Sequence, residues 1–338
     1  MAASTRRLAS RASSVLTCAM ISKPPMRLST LYPSACAALL AGLLATAPQA
    51  GAQTAPQGAA DDAPATATPS TAATPASPYV MPATQVWDMA SDGGEIYRIF
   101  VSAPDKGEPP KGGYPVLYVL DGNAYFGSFA QARWVQDYLP VGKAIIVGVG
   151  YPGDKPWDVR RMADYTAQLR EPQSPEVRAF AKYKSGARAP FLDFLTGKLR
   201  GEIAQRYPVN LERQSLFGHS FGGLFALYAL YERPQAFEAI VAASPSMEWN
   251  GQHILEEERV FRDKVQAGKV GATSRLMVVV GDRDADGDPE SARMLAERLE
   301  ALSGWGLRVR LQRYPNEVHA SVPAQAANDT LRFAFTLR

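Results

Sequence analysis

Gly218-His219-Ser220-Phe221-Gly222-Gly223 is the stretch on which the reading of this 338-residue chain turns. A Gly-x-Ser-x-Gly between a strand and a helix lifts a serine hydroxyl onto a sharp turn, where it can attack. Both flanks are present. Ser215-Leu216-Phe217 reads as a short apolar strand, and Leu224, Leu227, Tyr228 and Tyr231 recur at helical spacing until Pro234 stops the pattern. A plain Gly-rich helix cap would need no apolar strand before it. The turn forces the serine into a strained conformation, so small residues are expected at Gly218 and Gly222, where the chain passes close to itself. Ser220 is therefore the expected nucleophile, leaving the carboxyl end of a central strand.

A nucleophile needs a base, and the chain has three histidines. His219 adjoins the serine, with its ring expected to point away from the Ser220 hydroxyl. His253 lies in the polar turn Asn250-Gly251-Gln252-His253, read as a surface loop. His319 follows the alternating stretch Leu307 to Tyr314, an evident strand, and precedes a final helix from about Pro323 to Phe335. A loop position after a late strand, downstream of the serine, makes His319 the expected base. The acid should leave the strand between the two. Leu276-Met277-Val278-Val279-Val280 is a continuous apolar run, hence a buried parallel strand, and it ends in Gly281-Asp282-Arg283-Asp284-Ala285-Asp286-Gly287-Asp288. Asp284 is the expected carboxylate that holds the His319 tautomer, with Asp286 in reserve.

An oxyanion formed by attack needs two N–H donors. One is expected from Phe221, after the nucleophile. The other should come from the loop after the strand Tyr114 to Leu120, which points to Asn123 in Asp121-Gly122-Asn123; the Asn123 side chain could equally close an Asx turn.

Two patterns are decoys. Asp282, Asp284, Asp286 and Gly287 fit the opening of a calcium loop, but its twelfth position is Arg293 rather than glutamate, and the loop follows a strand. Gly148-Val149-Gly150-Tyr151-Pro152-Gly153 matches a dinucleotide fingerprint, yet Pro152 and the polar residues after it open no helix. No metal and no cofactor are expected.

Composition divides the chain. Residues 1–52 contain no acid but carry Arg6, Arg7, Arg11, Lys23 and Arg27, then an apolar run from Ala37 to Ala47 and a small-x-small site at Ala50-Gly51-Ala52, which reads as a signal peptide. The run is too short to span a bilayer, so no stable membrane insertion is expected after cleavage. The whole chain is +3; without those five bases it is about −2, which removes the support for nucleic-acid binding. Both cysteines, Cys18 and Cys36, fall in the same segment. A periplasmic or secreted location follows, the Gram-negative periplasm first. Residues 53–78 are rich in Ala, Thr, Pro and Ser, too poor in large apolar side chains to fold, and read as a disordered linker.

Residues 79–338 have the size of one catalytic domain. Gln85 to Ala90 and Glu95 to Ala103 read as an opening hairpin. Strands then alternate with helices: Val116 to Leu120, Ala144 to Val149, Ser215 to Phe217, Ala239 to Ala242, Leu276 to Val280 and Leu307 to Tyr314. The expected class is α/β, with a mostly parallel central sheet, helices on both faces and an antiparallel N-terminal hairpin. Between Tyr151 and Phe191 runs a polar excursion holding Arg160, Arg161, Arg170, Arg178, Lys182, Lys184 and Arg188; taken singly each reads as part of a solvated insertion, and as a set they are placed to wall the site.

Val116 to Phe126 (VLYVLDGNAYF), Ser215 to Phe225 (SLFGHSFGGLF), Ser244-Pro245-Ser246 and Asn316 to Ser321 (NEVHAS) resemble the esterase D-like branch of the α/β-hydrolases. Within it they look most like the esterases that open the trilactone of catecholate siderophores, the enterobactin and salmochelin class. The resemblance spans nearly all of Tyr79 to Arg338. It implies the α/β-hydrolase fold, with Ser220 as nucleophile and His319 as base. For the acid it leaves a serine–histidine dyad open beside Asp284. It implies a small-molecule ester as substrate, with a ferric catecholate siderophore expected first. On that footing Trp157 and Tyr165 would stack on catechol rings while Arg160 and Arg161 neutralise the anionic iron complex. The alternatives are a generic carboxylesterase or acyltransferase of the same branch, or a silent periplasmic binding protein, which the intact serine, acid and histidine disfavour.

Overall fold

The computed structural model describes residues 76–170, 175–272 and 274–336; the segment read as a signal peptide, and the linker as far as residue 75, lie outside the described residues. Among the described residues eight strands form one sheet. They are β1 (Thr84–Ala90), β2 (Ile96–Ser102), β3 (Tyr114–Leu120), β4 (Ile145–Gly150), β5 (Val209–His219), β6 (Ala239–Ala243), β7 (Arg275–Gly281) and β8 (Arg308–Tyr314), in the order β1-β2-β4-β3-β5-β6-β7-β8. β1 and β2 are the expected hairpin, in register from Thr84↔Ser102 to Ala90↔Ile96, and β2 runs antiparallel to β4. Every other pairing is parallel.

The helices are α1 (Gly122–Trp134), α2 (Arg161–Tyr165), α3 (Pro175–Phe180), α4 (Arg188–Phe194), α5 (Arg200–Arg206), α6 (Phe221–Glu232), α7 (Trp249–Gln266), α8 (Pro289–Glu300) and α9 (Val322–Phe335). Successive strand residues point to opposite faces, and each face is covered. Val116, Tyr118 and Leu120 of β3 join a core with Leu224, Leu227 and Leu230 of α6. Leu117 and Val119 join a second core with Phe126 and Phe129 of α1 and Val322 and Leu331 of α9. Burial on both sides is why β3 and β7 read as unbroken apolar runs rather than as alternation.

Two elements differ from their sequence reading. β5 begins at Val209, six residues before Ser215. Its first half, Asn210 to Arg213, is partly exposed and its pairing with β3 is shifted in register between Tyr114 and Val116, so it lacks an apolar signature. His253 is not on a loop but in α7. The polar turn expected there is confined to Asn250 (φ 56), Gly251 (φ 65) and Gln252 (φ 60), a left-handed kink near the start of that helix.

Candidate active site

Parallel strands carry their following loops to one edge of the sheet, where ligands bind in folds of this class. Here that edge gathers Asp121 after β3, Tyr151 to Arg160 after β4, Ser220 after β5, Ser244 to Ser246 after β6, Asp282 to Asp288 after β7 and His319 after β8.

Ser220 sits between β5 and α6 with φ 60 and ψ −121, the strained turn expected from the sequence. A Cβ on Gly218 would lie 2.0 Å from the carbonyl oxygen of Gly222, so only glycine fits there. The second small position is shifted from the expected one. At Gly222 a Cβ would meet nothing nearer than 3.5 Å, whereas at Gly223 it would come within 2.8 Å of the Ala243 carbonyl oxygen. The crowding comes from the β6 exit, a neighbour in space that the local sequence cannot display. The Ser220 hydroxyl contacts the Ser246 hydroxyl at 3.3 Å.

His319 turns Nδ1 to Oδ1 of Asp284 at 3.0 Å, leaving Nε2 on the far edge of the ring to take a proton. The Asp284 side chain has no exposed surface. The same Oδ1 accepts the N–H groups of Asp286 (3.1 Å) and Gly287 (2.7 Å). Burial alone would raise the pKa of Asp284. The hydrogen bond and charge of His319, with the Ser244 hydroxyl and the Gly287 N–H, bring it below the ordinary carboxylate value. Asp286 meets Asp284 through its backbone, and its own carboxylate is not on His319. The other aspartates of this loop are engaged elsewhere, Asp282 with Arg313 at 2.7 Å and Asp288 capping α8 through the Glu290 N–H at 3.1 Å.

His219 is buried, and its ring lies against that of His319 with centroids 4.5 Å apart. Its Nδ1 meets the Tyr125 hydroxyl at 2.9 Å. Burial, followed by the neighbouring His319 and Arg161, holds its pKa well below the usual histidine value, so the ring is a neutral floor under His319. Glu248 also feels His319. The residue is exposed, and local desolvation shifts its carboxyl upward, with its own backbone N–H and His319 drawing it back.

The Phe221 N–H is first in α6, where no carbonyl lies a turn behind. The Asn123 side chain is committed. Its Nδ2 donates to Tyr151 O (2.9 Å) and Gly153 O (3.3 Å), and its Oδ1 accepts from Tyr151 N–H at 2.8 Å. It pins the β4 exit to α1, and a Cβ on Gly150 would lie 2.0 Å from that Oδ1, so one glycine of the dinucleotide-like motif is a packing site. Only the backbone N–H of Asn123, second in α1, is left for an oxyanion.

The expected substrate residues are not brought together. Arg161 forms a bidentate pair with Asp121 at 2.8 and 2.9 Å and also reaches His219 O; its side chain is 12% exposed and that of Asp121 0%. Arg160 turns to the sheet edge, donating to Ile96 O at 2.7 Å over the rings of Tyr97 and Tyr151, with Glu95 nearby. Arg170 and Arg188 are each bidentate to a carboxylate of α7, Glu256 and Glu257. Tyr165 is buried, its hydroxyl oxygen accepting the Asp121 N–H at 3.1 Å, and no ligand ring can stack on it. Trp157 alone of the four is open, 43% exposed, with its indole against the Tyr125 hydroxyl.

Sequence reasoning passed over Ser244, Ser246, Tyr125 and Asp121 as site residues. The signal for the two serines is Ser244-Pro245-Ser246 directly after an apolar strand, and the structure adds that Ser244 takes φ 43, rare for a residue with a side chain.

The Esterase family profile, described as "Putative esterase", matches residues 76–324. The ferri-bacillibactin esterase BesA of Bacillus subtilis is 34% identical over 278 residues, covering 79% of this chain and 94% of that protein. A siderophore triacetylfusarinine C esterase of Aspergillus fumigatus is 37% identical over 245 residues, covering 70% and 80%. Among solved structures the BES protein of Bacillus cereus superposes with a TM-score of 0.71 at 31% identity, over 78% of this chain and all of that one.

Proposed function

This chain belongs to the esterase family and has its α/β-hydrolase fold, and from that premise we propose that it opens the ester backbone of an iron siderophore through an acyl-enzyme on Ser220. The observation that carries the reading is the conjunction of relatives acting on ferri-bacillibactin and triacetylfusarinine C, matched over most of their length, with the 3.0 Å His319–Asp284 bond at the strand edge that presents Ser220. Ser220 Oγ attacks the lactone carbonyl as its proton passes to His319 Nε2. Asp284 stays ionised and holds the imidazolium; His319 then returns the proton to the departing alkoxide, and water repeats the cycle on the acyl-enzyme. The Phe221 and Asn123 backbone N–H groups, each at a helix start, receive the oxyanion.

Exposed Trp157 is the residue suited to lie along a substrate ring. Arg160, Arg161, Arg170 and Arg188 of the 151–191 excursion support the wall itself rather than the charge of the substrate, since each is already bound within the protein. Cleavage of the leader at Ala52 would deliver the domain outside the cytoplasm, on a linker reaching residue 78. Among the described residues no helix is long and apolar enough to cross a membrane.

The test is direct. Incubation with a ferric catecholate trilactone and with p-nitrophenyl acetate, followed by mass spectrometry of the products, is expected to give linear siderophore fragments and free nitrophenol, and neither with Ser220→Ala. Cleavage of the nitrophenyl ester beside an intact trilactone would leave the generic carboxylesterase reading in its place.

A further inference from the structure

The loop leaving β6 reaches both ends of the Ser220–His319–Asp284 set. Its backbone locks it to the nucleophile turn, Ser220 N–H donating to Ala243 O at 3.0 Å and Ser246 N–H to Ser220 O at 3.3 Å, and to β7, Ser244 N–H donating to Val279 O at 2.7 Å. Ser244 is fully buried at φ 43, a strain that persists only where the surroundings impose it. What the strained loop places is a pair of hydroxyls. Ser244 lies against the Asp284 carboxylate, and Ser246, 4% exposed, lies 3.3 Å from Ser220 Oγ. Among the described residues the Ser246 hydroxyl has no other hydrogen-bond partner.

We propose that Ser246 is a positioning residue for the nucleophile, its hydroxyl donating to Ser220 Oγ. The direction follows from what surrounds it. A buried O–H without an acceptor is destabilised, and Ser220 Oγ is the acceptor in reach. Donation by Ser246 leaves the Ser220 proton for His319; the opposite direction would spend that proton on a group with no base behind it. During attack the Ser220 Oγ–carbon bond forms, the carbonyl electron pair moves to oxygen and the Ser220 proton goes to His319. Ser246 keeps its own proton throughout and stabilises the negative charge that builds on Oγ where loss of its proton runs ahead of the Oγ–carbon bond. At 3.3 Å the contact is long for two hydroxyls, and contacts of this kind tighten once substrate is bound.

The inference rests on Ser220 being the nucleophile, and the experiment separates the two claims. Diisopropyl fluorophosphate reacts by forming the Ser220 Oγ–phosphorus bond and releasing fluoride, so its rate reports the nucleophile with little help from substrate binding. Ser220→Ala should not be labelled at all. Ser246→Ala should be labelled fully but about tenfold more slowly, with kcat for p-nitrophenyl acetate down by a similar factor, KM nearly unchanged and the melting temperature held. Ser246→Thr, which keeps the hydroxyl, should react faster than Ser246→Ala. A parent-like labelling rate in Ser246→Ala, with or without a lower melting temperature, overturns the proposal, as does a Thr variant no faster than the Ala variant. Labelling of Ser220→Ala would instead overturn the nucleophile.

Discussion

Replacing Asp284 separates orientation from charge, because the His319 ring and two backbone N–H groups all meet the same oxygen of this carboxylate. Oδ1 takes the Asp286 N–H at 3.1 Å, the Gly287 N–H at 2.7 Å and the His319 ring at 3.0 Å. Oδ2 is buried beside the Ser244 hydroxyl; a Cβ on Gly287 would lie 2.6 Å from one and 2.9 Å from the carbon bearing the other. In Asp284→Asn the amide oxygen should therefore stay under the three donors, while the NH2 group turns to the Ser244 oxygen. The His319 tautomer survives and only the charge is lost. A charge-assisted bond exceeds a neutral one by about 1–2 kcal/mol, so turnover of p-nitrophenyl acetate should fall roughly 5- to 30-fold. Asp284→Ala removes orientation as well and should approach a loss on the order of 10,000-fold. Circular dichroism and melting curves check that each variant folds. An Asp284→Ala enzyme keeping more than about a tenth of parent turnover would mean that serine and histidine work as a dyad. Equal losses in Asn and Ala would refute the shared-oxygen argument, and a larger loss in Asp286→Asn than in Asp284→Asn would move the acid to Asp286.

Two further outcomes are expected. Arg161→Gln leaves the fully buried Asp121 carboxylate without its partner and should lower unfolding free energy by about 3–5 kcal/mol, partly recovered in the double variant with Asp121→Asn, as read by urea denaturation; a parent-like stability together with a raised KM for a ferric catecholate alone would restore Arg161 to the substrate. Burial holds the Asp164 carboxyl at about 6 in the folded chain, against the Tyr151 hydroxyl at 3.0 Å. An acid with a raised folded pKa binds more protons folded than unfolded, so this group's contribution declines as pH rises from about 4 to about 6, at a cost of up to roughly 3 kcal/mol by neutral pH. Asp164→Asn, which keeps an acceptor for Tyr151, should lack that decline and gain stability above pH 6, and an unchanged pH slope would refute it.

The parts of the fold that could be read from residues alone are those whose signal is local. β3 and β7 are buried on both faces, so their runs of apolar residues announce themselves, and the Gly-x-Ser-x-Gly turn between strand and helix needs nothing beyond its own flanks to be recognised. Half of β5 was not legible, because Asn210 to Arg213 fall where the β3–β5 register shifts and are partly exposed, so they carry no apolar signature. The same distinction runs through the site. His319 and Asp284 could be placed because each follows a strand whose end must face Ser220. Gly223 could not be chosen over Gly222, since the atom that demands it is the Ala243 carbonyl, twenty residues on and brought close only by the pairing of β5 with β6.

Charges were the least legible of all, and the reason is geometric. A cation in a sequence carries no mark of the anion it will meet; Arg161 and Asp121 are forty residues apart, Arg170 and Glu256 eighty-six. Arginines after a strand whose end faces Ser220 look like a substrate wall, but Arg161, Arg170 and Arg188 pair with carboxylates of this same chain. The Arg161–Asp121 pair has a particular consequence. Asp121 precedes the N-terminus of α1, whose backbone N–H groups would receive an oxyanion, and a bare carboxylate there would oppose that charge. Arg161 cancels it at 2.8 Å while its own exposure is 12%, so the pair would remove a repulsion from the proposed oxyanion site without presenting a free cation to a substrate.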